Sequence, residues 1–457
     1  MRERKIVNKT IRKTAEKSFD FDRMRSVAQS VVKQAKKMGA SAVEVDGVVG
    51  SGFSVTVRNG KTESIGHNDG RELGVTVYFG KRVGSAMTSD YSASSVRKTI
   101  EKACYVAKFI CKDPFVGLAD SRLMAYDYQD LDLFYPWDIS IEQAITKAKE
   151  CETIGFKQDK RIKNSEGSSV NSEQAFGIYA NSHGFVGTTA STNHSFGVAL
   201  IAEHKRNMQQ DLYYSIARDP NDLLDVSFVA KKAAERTVRR LNPVRITTRE
   251  CPVMFAADIS RSLINTLIAA INGGNIYRKS SFLCDSINKR VITKQISIVE
   301  DPHIPKGLSS AAFDGEGVKT KRNNIITDGV LQHYILDSYT ARKLKMKTTG
   351  NAGGTHNLIV KTSDNDFESL LKMMGTGLLV TDLLGDGVNI ITGNYSRGIF
   401  GFWVEKGVIK HPVTGVTIAG NLKDMLLNIV AVGNDVDYRS STLVGSILLE
   451  KMVIAGA

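Results

Sequence analysis

The chain has 457 residues, of which 42% are apolar and 24% charged, with a formal net charge of +13. That length exceeds one typical core, and the balance is that of a globular protein, which excludes a wholly disordered or collagen-like chain. No run of about 18 uncharged apolar residues occurs, so no membrane span is expected.

The first 20 residues form a basic tail with Arg2, Arg4, Lys5, Lys9, Arg12, Lys13 and Lys17. It lacks the apolar core and small-residue cleavage site of a signal peptide. The other basic residues are spread along the chain, and none forms a segment interleaved with aromatics as a base-stacking platform requires. Nucleic acid is therefore not the expected partner. The five cysteines are odd in number and form no CxxC, which fits free thiols in a reduced, cytoplasmic protein. Cys104 and Cys111 stand seven apart on an expected helix and are expected on one buried stripe.

Residues 21–38 predict an amphipathic helix closed by Gly39. Alternating segments follow over 42–49 and 53–65, the second broken by Asn59-Gly60, a hairpin signal. A second hairpin turns at Gly80, and a helix is expected over 92–111. Residues 112–138 look like a connector, and 140–156 reads as a helix. A second meander over 163–215 is expected to turn near 181–184 and 192–194, and a basic-ended helix covers 223–241. Pro243 and Pro252 bracket a boundary.

Beyond it, a strand over 253–256 leads into a helix carrying Ile259, Leu263, Leu267 and Ala270 near one stripe. Short strands are expected over 291–299, 324–336, 358–361 and from 388 onward, with helices over 338–344, 366–379 and 422–430. Asp328-Gly329, Asp386-Gly387 and Lys406-Gly407 read as hairpin turns. Strands cluster instead of alternating with helices, so the fold class is α+β. Two domains are expected: residues 21–242, with a helix-hairpin part to about 111 and a second meander over about 140–242, and a β-rich, barrel-like domain with helices over 243–457.

A helix-borne zinc site needs two histidines on one face with a Glu beside the first. None of the eight histidines is followed by Glu, and no pair stands at i, i+4 or i, i+5. Asp301, His303, His356, Asp314 and Glu316 remain as donors for a site assembled from distant segments, though Asp301-Pro302 and Gly315 with its flanking carboxylates also read as turns. The stretch 350–357 is a Gly-rich polar loop in which Asn351, Gly353, Gly354 and His356 are candidates to line a peptide cleft. Tyr395 and Arg397 are the other cleft or interface candidates, since a guanidinium fork can clamp a carboxylate. Phe400, Phe402 and Trp403 read as core or interface. No GxSxG and no activated thiol signature is present.

The segments TTGNAGGTHNLIV (348–360), GDGVNIITGNYSRGIFGFWVEKGVIKHPVTGVTIAGNL (385–422) and the ending LLEKMVIAGA are similar to the PmbA (TldE) branch of the TldD/PmbA family. The N-terminal layout, with VRNGKTES and GVTVYFGKRVGSAMTSD, agrees, and the resemblance covers almost everything after the tail. It implies a two-domain subunit of a cytoplasmic metalloprotease that degrades or trims unfolded peptides or peptide leaders. TldD subunits carry HExxxH and a distal Cys as metal ligands. The matching segment here is INTLIA, with Ile264 and Ala269 at the histidine positions and Asn265 at the glutamate position, while the region 442–445 has no thiol. The resemblance thus implies no catalytic residue, metal or cofactor in this chain, with zinc in a TldD-type partner, and a heterodimer with that partner or a homodimer alone. Two other functions stay open: a gyrase- or nucleic-acid-related modulator, as the family was once described, and a stand-alone metallohydrolase with a non-HExxxH site.

Overall fold

The computed structural model describes residues 19–456, so most of the basic tail lies outside the described residues. Helix α1 (Phe21–Lys37) opens on Asp20, whose carboxylate accepts from the Arg23 backbone N–H at 2.9 Å, and it buries Met24, Ala28, Val31 and Ala35. Three strands follow: β1 (Ala42–Arg58), β2 (Lys61–Phe79) and β3 (Arg82–Thr88). Asn59 and Gly60 take φ of 51° and 72°, the left-handed pair of a two-residue turn that pairs Arg58 with Lys61. The expected segments 42–49 and 53–65 therefore belong to one long hairpin, with 42–58 as its first arm and the turn inside the second segment. Helix α2 (Ala93–Phe109) ends before Cys111, which is exposed, whereas Cys104 is buried. The shared stripe expected for these cysteines fails because Ile110 is already extended (ψ 150°) and ends the helical periodicity.

After the connector come α3 (Ile141–Gln158), β4 (Ile162–Asn181), β5 (Val186–His204), β6 (Asn207–Ala217) and α4 (Val226–Arg239). A capping box fixes the start of α3: Ser140 accepts from the Gln143 N–H and the Gln143 side chain accepts from the Ser140 N–H. The turn expected near 192–194 does not exist. His194 lies within β5, buried, with Nε2 at 2.8 Å from the Tyr135 carbonyl oxygen, and the chain turns instead at Lys205, where φ is 56°.

These six strands form one antiparallel sheet in the order β3-β2-β1-β4-β5-β6. Odd-numbered residues of β1 face the helices along its length. Val43 and Val45 pack with α1 and α2, while Val55 and Val57 pack with α3 and α4. Strands of this length let one sheet face carry two helical layers, each burying its own apolar stripe.

The second half begins with β7 (Arg249–Phe255), α5 (Ala257–Ala270) and α6 (Gly273–Tyr277). The strand expected over 291–299 is largely loop, and only β8 (Ile298–Asp301) pairs there. Next come β9 (Asn323–Thr327), β10 (Val330–Leu331), α7 (Ser338–Lys343) and β11 (Asn357–Val360). The apolar window 370–384 resolves into α8 (Phe367–Met374), a turn at Gly375 (φ 67°) and β12 (Gly377–Leu384). Then follow β13 (Asn394–Glu405), β14 (Val408–Asn421), α9 (Leu422–Leu427), β15 (Ile429–Val432), β16 (Thr442–Leu443) and β17 (Ile447–Ala455). Asp328-Gly329 and Lys406-Gly407 are hairpin turns with both φ positive. Asp386-Gly387 is not; it lies in the longer link between β12 and β13.

Strands β14-β13-β12-β7-β17 close into a five-stranded barrel through the β14–β17 pairing of Thr417 with Ala455. A second sheet runs β10-β9-β8-β11-β16. Helix α5 buries Leu263, Ile264, Leu267 and Ala270 in the core shared by barrel and sheet. Helix α8 covers the barrel exterior at Phe400 and Phe402. The α+β class with a barrel-like second half is thus what the chain adopts.

The halves meet through charge. Arg236 of α4 lies 3.2 Å from Asp211 and 2.7 Å from Asp258, and Arg240 bridges Asp211 and Asp382 at 3.2 and 3.1 Å. Arg439 pairs bidentately with Asp437 and stacks 4.1 Å over Tyr213. Arg342 of α7 donates to three connector carbonyls, those of Phe115, Gly117 and Leu118.

Candidate functional site

A cleft of about 360 Å³ opens beside α5. The helix presents Asn265, Ile268 and Ala269, with Asn272 just past its end, an i, i+3, i+4, i+7 row opposite the core-facing one. The facing wall comes from Gly354 and Thr355 of the Gly-rich loop and from Ser440, Ser441 and Thr442. Ile335 completes it. These last two segments are distant in sequence and meet because β11 pairs in parallel with β16, Leu358 opposite Thr442.

Buried carboxylates hold the Gly-rich loop. Glu300 on β8 is fully buried, and its Oε1 accepts from Asn351 Nδ2 at 2.7 Å, from the His356 backbone N–H at 2.8 Å and from His356 Nδ1 at 2.9 Å. Burial works against its charge, but the His356 ring and backbone donors outweigh it and hold the carboxyl below the usual range. Asp314 accepts from Glu316 N and Val318 N at 2.9 Å and from Ala352 N at 3.0 Å. Gly353 and Gly354 then adopt φ of 96° and 119° with open space where a Cβ would stand. At these two positions the backbone, not crowding, demands glycine.

The sequence candidates separate into three groups. Gly354 lines the cleft and Gly353 adjoins it; Asn351 and His356 lie behind the loop as its anchors. Tyr395 and Arg397 do not line this cleft. They sit on β13, where Tyr395 is 3% exposed in the barrel core, its hydroxyl pushed up to about 12 by burial, and Arg397 Nε is buried without a hydrogen-bond partner. Phe400 and Phe402 are buried under the guanidinium groups of Arg240 and Arg239, 3.9 and 5.0 Å from their ring centres.

The three positions matched to HExxxH do not share one face of α5. Ile264 is fully buried in the core, so it cannot share the cleft with Ala269. Asn265 and Ala269, four residues apart, do share it, and the Thr442 hydroxyl donates to Asn265 Oδ1 at 2.8 Å. Sequence reading missed Asn272, Ile335, Ser440 and Ser441 as cleft residues, and Glu300 as the loop anchor. The i, i+3, i+4, i+7 spacing from Asn265 to Asn272 could have revealed the first; the others depend on strand pairing.

Every residue lining the cleft is uncharged. Among the described residues no group of three or more His, Cys, Asp or Glu side chains is placed to hold a metal ion. The donors considered for a dispersed site have local roles. Asp301 Oδ1 accepts from the His303 N–H at 3.0 Å, and His303 Nε2 lies 3.0 Å from Thr320 Oγ1.

A six-stranded sheet with paired helical layers, joined to a small closed barrel with a polar cleft, is the architecture of the TldE and gyrase-modulator-type folds. A solved structure of a candidate modulator of DNA gyrase from Bacteroides thetaiotaomicron superposes with a TM-score of 0.90 at 27% identity, covering 95% of this chain and 99% of that one. TldE from Thermococcus kodakarensis superposes at 0.83 and 20% identity, covering 94% and 100%, a likeness of fold. The central and C-terminal domain models of the PmbA/TldA metallopeptidases match residues 134–241 and 248–456, and the domain 1 model matches 43–107. The chain is 46% identical to Metalloprotease PmbA of Escherichia coli O157:H7 over 89% of its own length and 90% of that protein's. It is 43% identical to the Metalloprotease PmbA homolog of Haemophilus influenzae, over 95% and 96%. The chain belongs to the PmbA/TldA metallopeptidase family.

Proposed function

We propose that this chain is a TldE-type subunit that forms one wall of a peptide cleft and depends on a TldD-type partner for the metal and the bond-breaking step. The observation that carries this reading is the chemistry of the α5 face. Zinc takes thiolate, imidazole or carboxylate donors. Here the face offers the Asn265 amide, already engaged by Thr442 across the cleft, and the Ala269 methyl group, and these residues do not fit a zinc centre. The same neutral set suits another task. Amides and hydroxyls from Asn265, Asn272, Thr355 and Ser440 can exchange hydrogen bonds with the backbone of an unfolded peptide without selecting its charge. Cytoplasmic action and pairing with the partner, or with a second copy when alone, belong to the same proposal.

The test is a cleavage assay on an unfolded, fluorescently labelled polypeptide. The chain alone, supplied with zinc, is expected to be inactive, and activity is expected on mixing with an HExxxH-bearing relative that co-purifies with it. Zinc-loaded chain alone cleaving at the rate of the mixture would overturn the reading.

A further inference from the structure

A second cavity, of about 290 Å³, lies where the two halves of the chain meet and shares no lining residue with the cleft. Helix α1, the connector around 128–134, the start of β5 and the loop 310–313 enclose it. Its lining mixes polar and apolar groups, with Phe21, Phe134 and Phe313 contributing aromatic rings.

Two arginines also reach it. Arg218 donates through Nη1 to the Thr192 carbonyl at 2.9 Å and through Nη2 to the Leu308 carbonyl, which fixes its orientation. Its Nε is buried with no hydrogen-bond partner, and no carboxylate stands within ion-pair distance of it among the described residues. Burial alone pushes this guanidinium below arginine's usual range. Arg25 reaches the same cavity, with Nη2 3.4 Å from the Thr188 hydroxyl, and its own ion pair with Asp22 is solvent-exposed. Asp130, the acidic lining residue, is exposed at the rim and accepts from the Asp132 N–H. Arg218 thus holds two carbonyl hydrogen bonds but no counter-charge, and an anion entering the cavity would supply one.

We propose that this cavity binds a carboxylate with an apolar, preferably aromatic, body about the size of one hydrophobic residue, its head on Arg218 and Arg25 and its body among the three phenylalanines. A free acid and the C-terminus of a peptide share this chemistry. The cavity's size is at the small end of ligand sites, which fits one residue and not an extended segment.

The experiment is calorimetric titration of the full chain with N-acetylphenylalanine, with its amide, and with a tripeptide ending in phenylalanine. The free acid is expected to bind saturably, at least about tenfold more tightly than the amide, a difference of about 1.4 kcal/mol. Binding of the tripeptide acid as well assigns the site to peptide C-termini; binding of the free acid alone assigns it to small carboxylates. Arg25→Gln, at a half-exposed position, is expected to weaken the acid severalfold while leaving the melting temperature unchanged. Ala190→Leu, which narrows the cavity, is expected to weaken acid and amide together. Equal affinity for acid and amide, or no saturable binding of either acid, would overturn the proposal. Neither result bears on the peptide-cleft reading, whose test is cleavage.

Discussion

The cleft beside α5 and the seam between the halves of the chain treat charge in opposite ways. The seam concentrates it: Arg236, Arg240 and Arg439 meet Asp211, Asp258, Asp382 and Asp437, most of them largely buried. The cleft is lined by neutral side chains, although metallopeptidases work with ionised groups. The two regions are also joined. Arg439, locked to Asp437 and stacked on Tyr213 of the first half, immediately precedes Ser440, Ser441 and Thr442 of the cleft wall. The charges of the seam thus flank the cleft wall, and none of them lines the cleft.

Breaking the seam should have the largest effect. Arg439→Ala leaves Asp437, whose side chain is 9% exposed, with only the Arg261 guanidinium at 3.8 Å as an ion-pair partner, and removes the stack on Tyr213. A loss of roughly 3 kcal/mol in folding stability, held at the low end by Arg261, is expected, measured by urea unfolding. A loss below about 0.5 kcal/mol would mean that Arg439 does not hold the second half to Tyr213 of the first.

The cleft can be sharpened by supplying what it lacks. Asn265→His, Ala269→His and Thr442→Cys together place three zinc donors on the two facing walls, the histidines at i, i+4. The triple variant is expected to take up one zinc per chain and to gain about 2.7 kcal/mol at a zinc concentration a hundredfold above Kd. A control with Ile264→His in place of Asn265→His should bind no zinc, because position 264 faces the core. Equal uptake by both variants would contradict the assignment of faces.

The smallest expected effect concerns pH. Burial raises the carboxyls of Glu44 and Glu316 to about 7 from the ordinary glutamate value, and both press against the contact between the halves. The folded chain therefore binds protons more tightly than the unfolded chain, and stability falls as pH rises from about 4.5 to about 7. Glu44→Gln with Glu316→Gln should melt higher than the parent at pH 8 but not at pH 4.5, a gap that solvent screening of these two half-buried side chains cuts from the full shifts to roughly 2 kcal/mol. A gap that does not change with pH would show that these groups are solvated.

Legibility in the sequence followed the range of the interactions. Asn59-Gly60 announced its hairpin, and the helix expected over 140–156 starts where Ser140 and Gln143 cap it, because both features close within a few residues. Loop 350–357 was legible as a glycine-rich candidate, since the φ its glycines need is a local property. The expected turn at 192–194 failed because polar residues there face neighbouring strands: Ser172 and the Tyr135 carbonyl satisfy His194 within β5. Tyr395 and Arg397, expected at a cleft or an interface, stand on β13 away from the cleft beside α5, a placement that depends on how the barrel closes.

The sequence by itself determined the α+β class, most of the helices and hairpins, the family resemblance and the absence of paired histidines at zinc spacing. Tertiary structure decided which face of α5 meets the cleft. It also decided that Thr442 stands across from Asn265 and that Glu300 anchors the loop through Asn351 and His356. The reason is physical. Helical periodicity and turn conformation are properties of neighbouring residues, whereas a cleft wall is set by strand pairing between segments far apart in the chain, here β11 with β16 and β8.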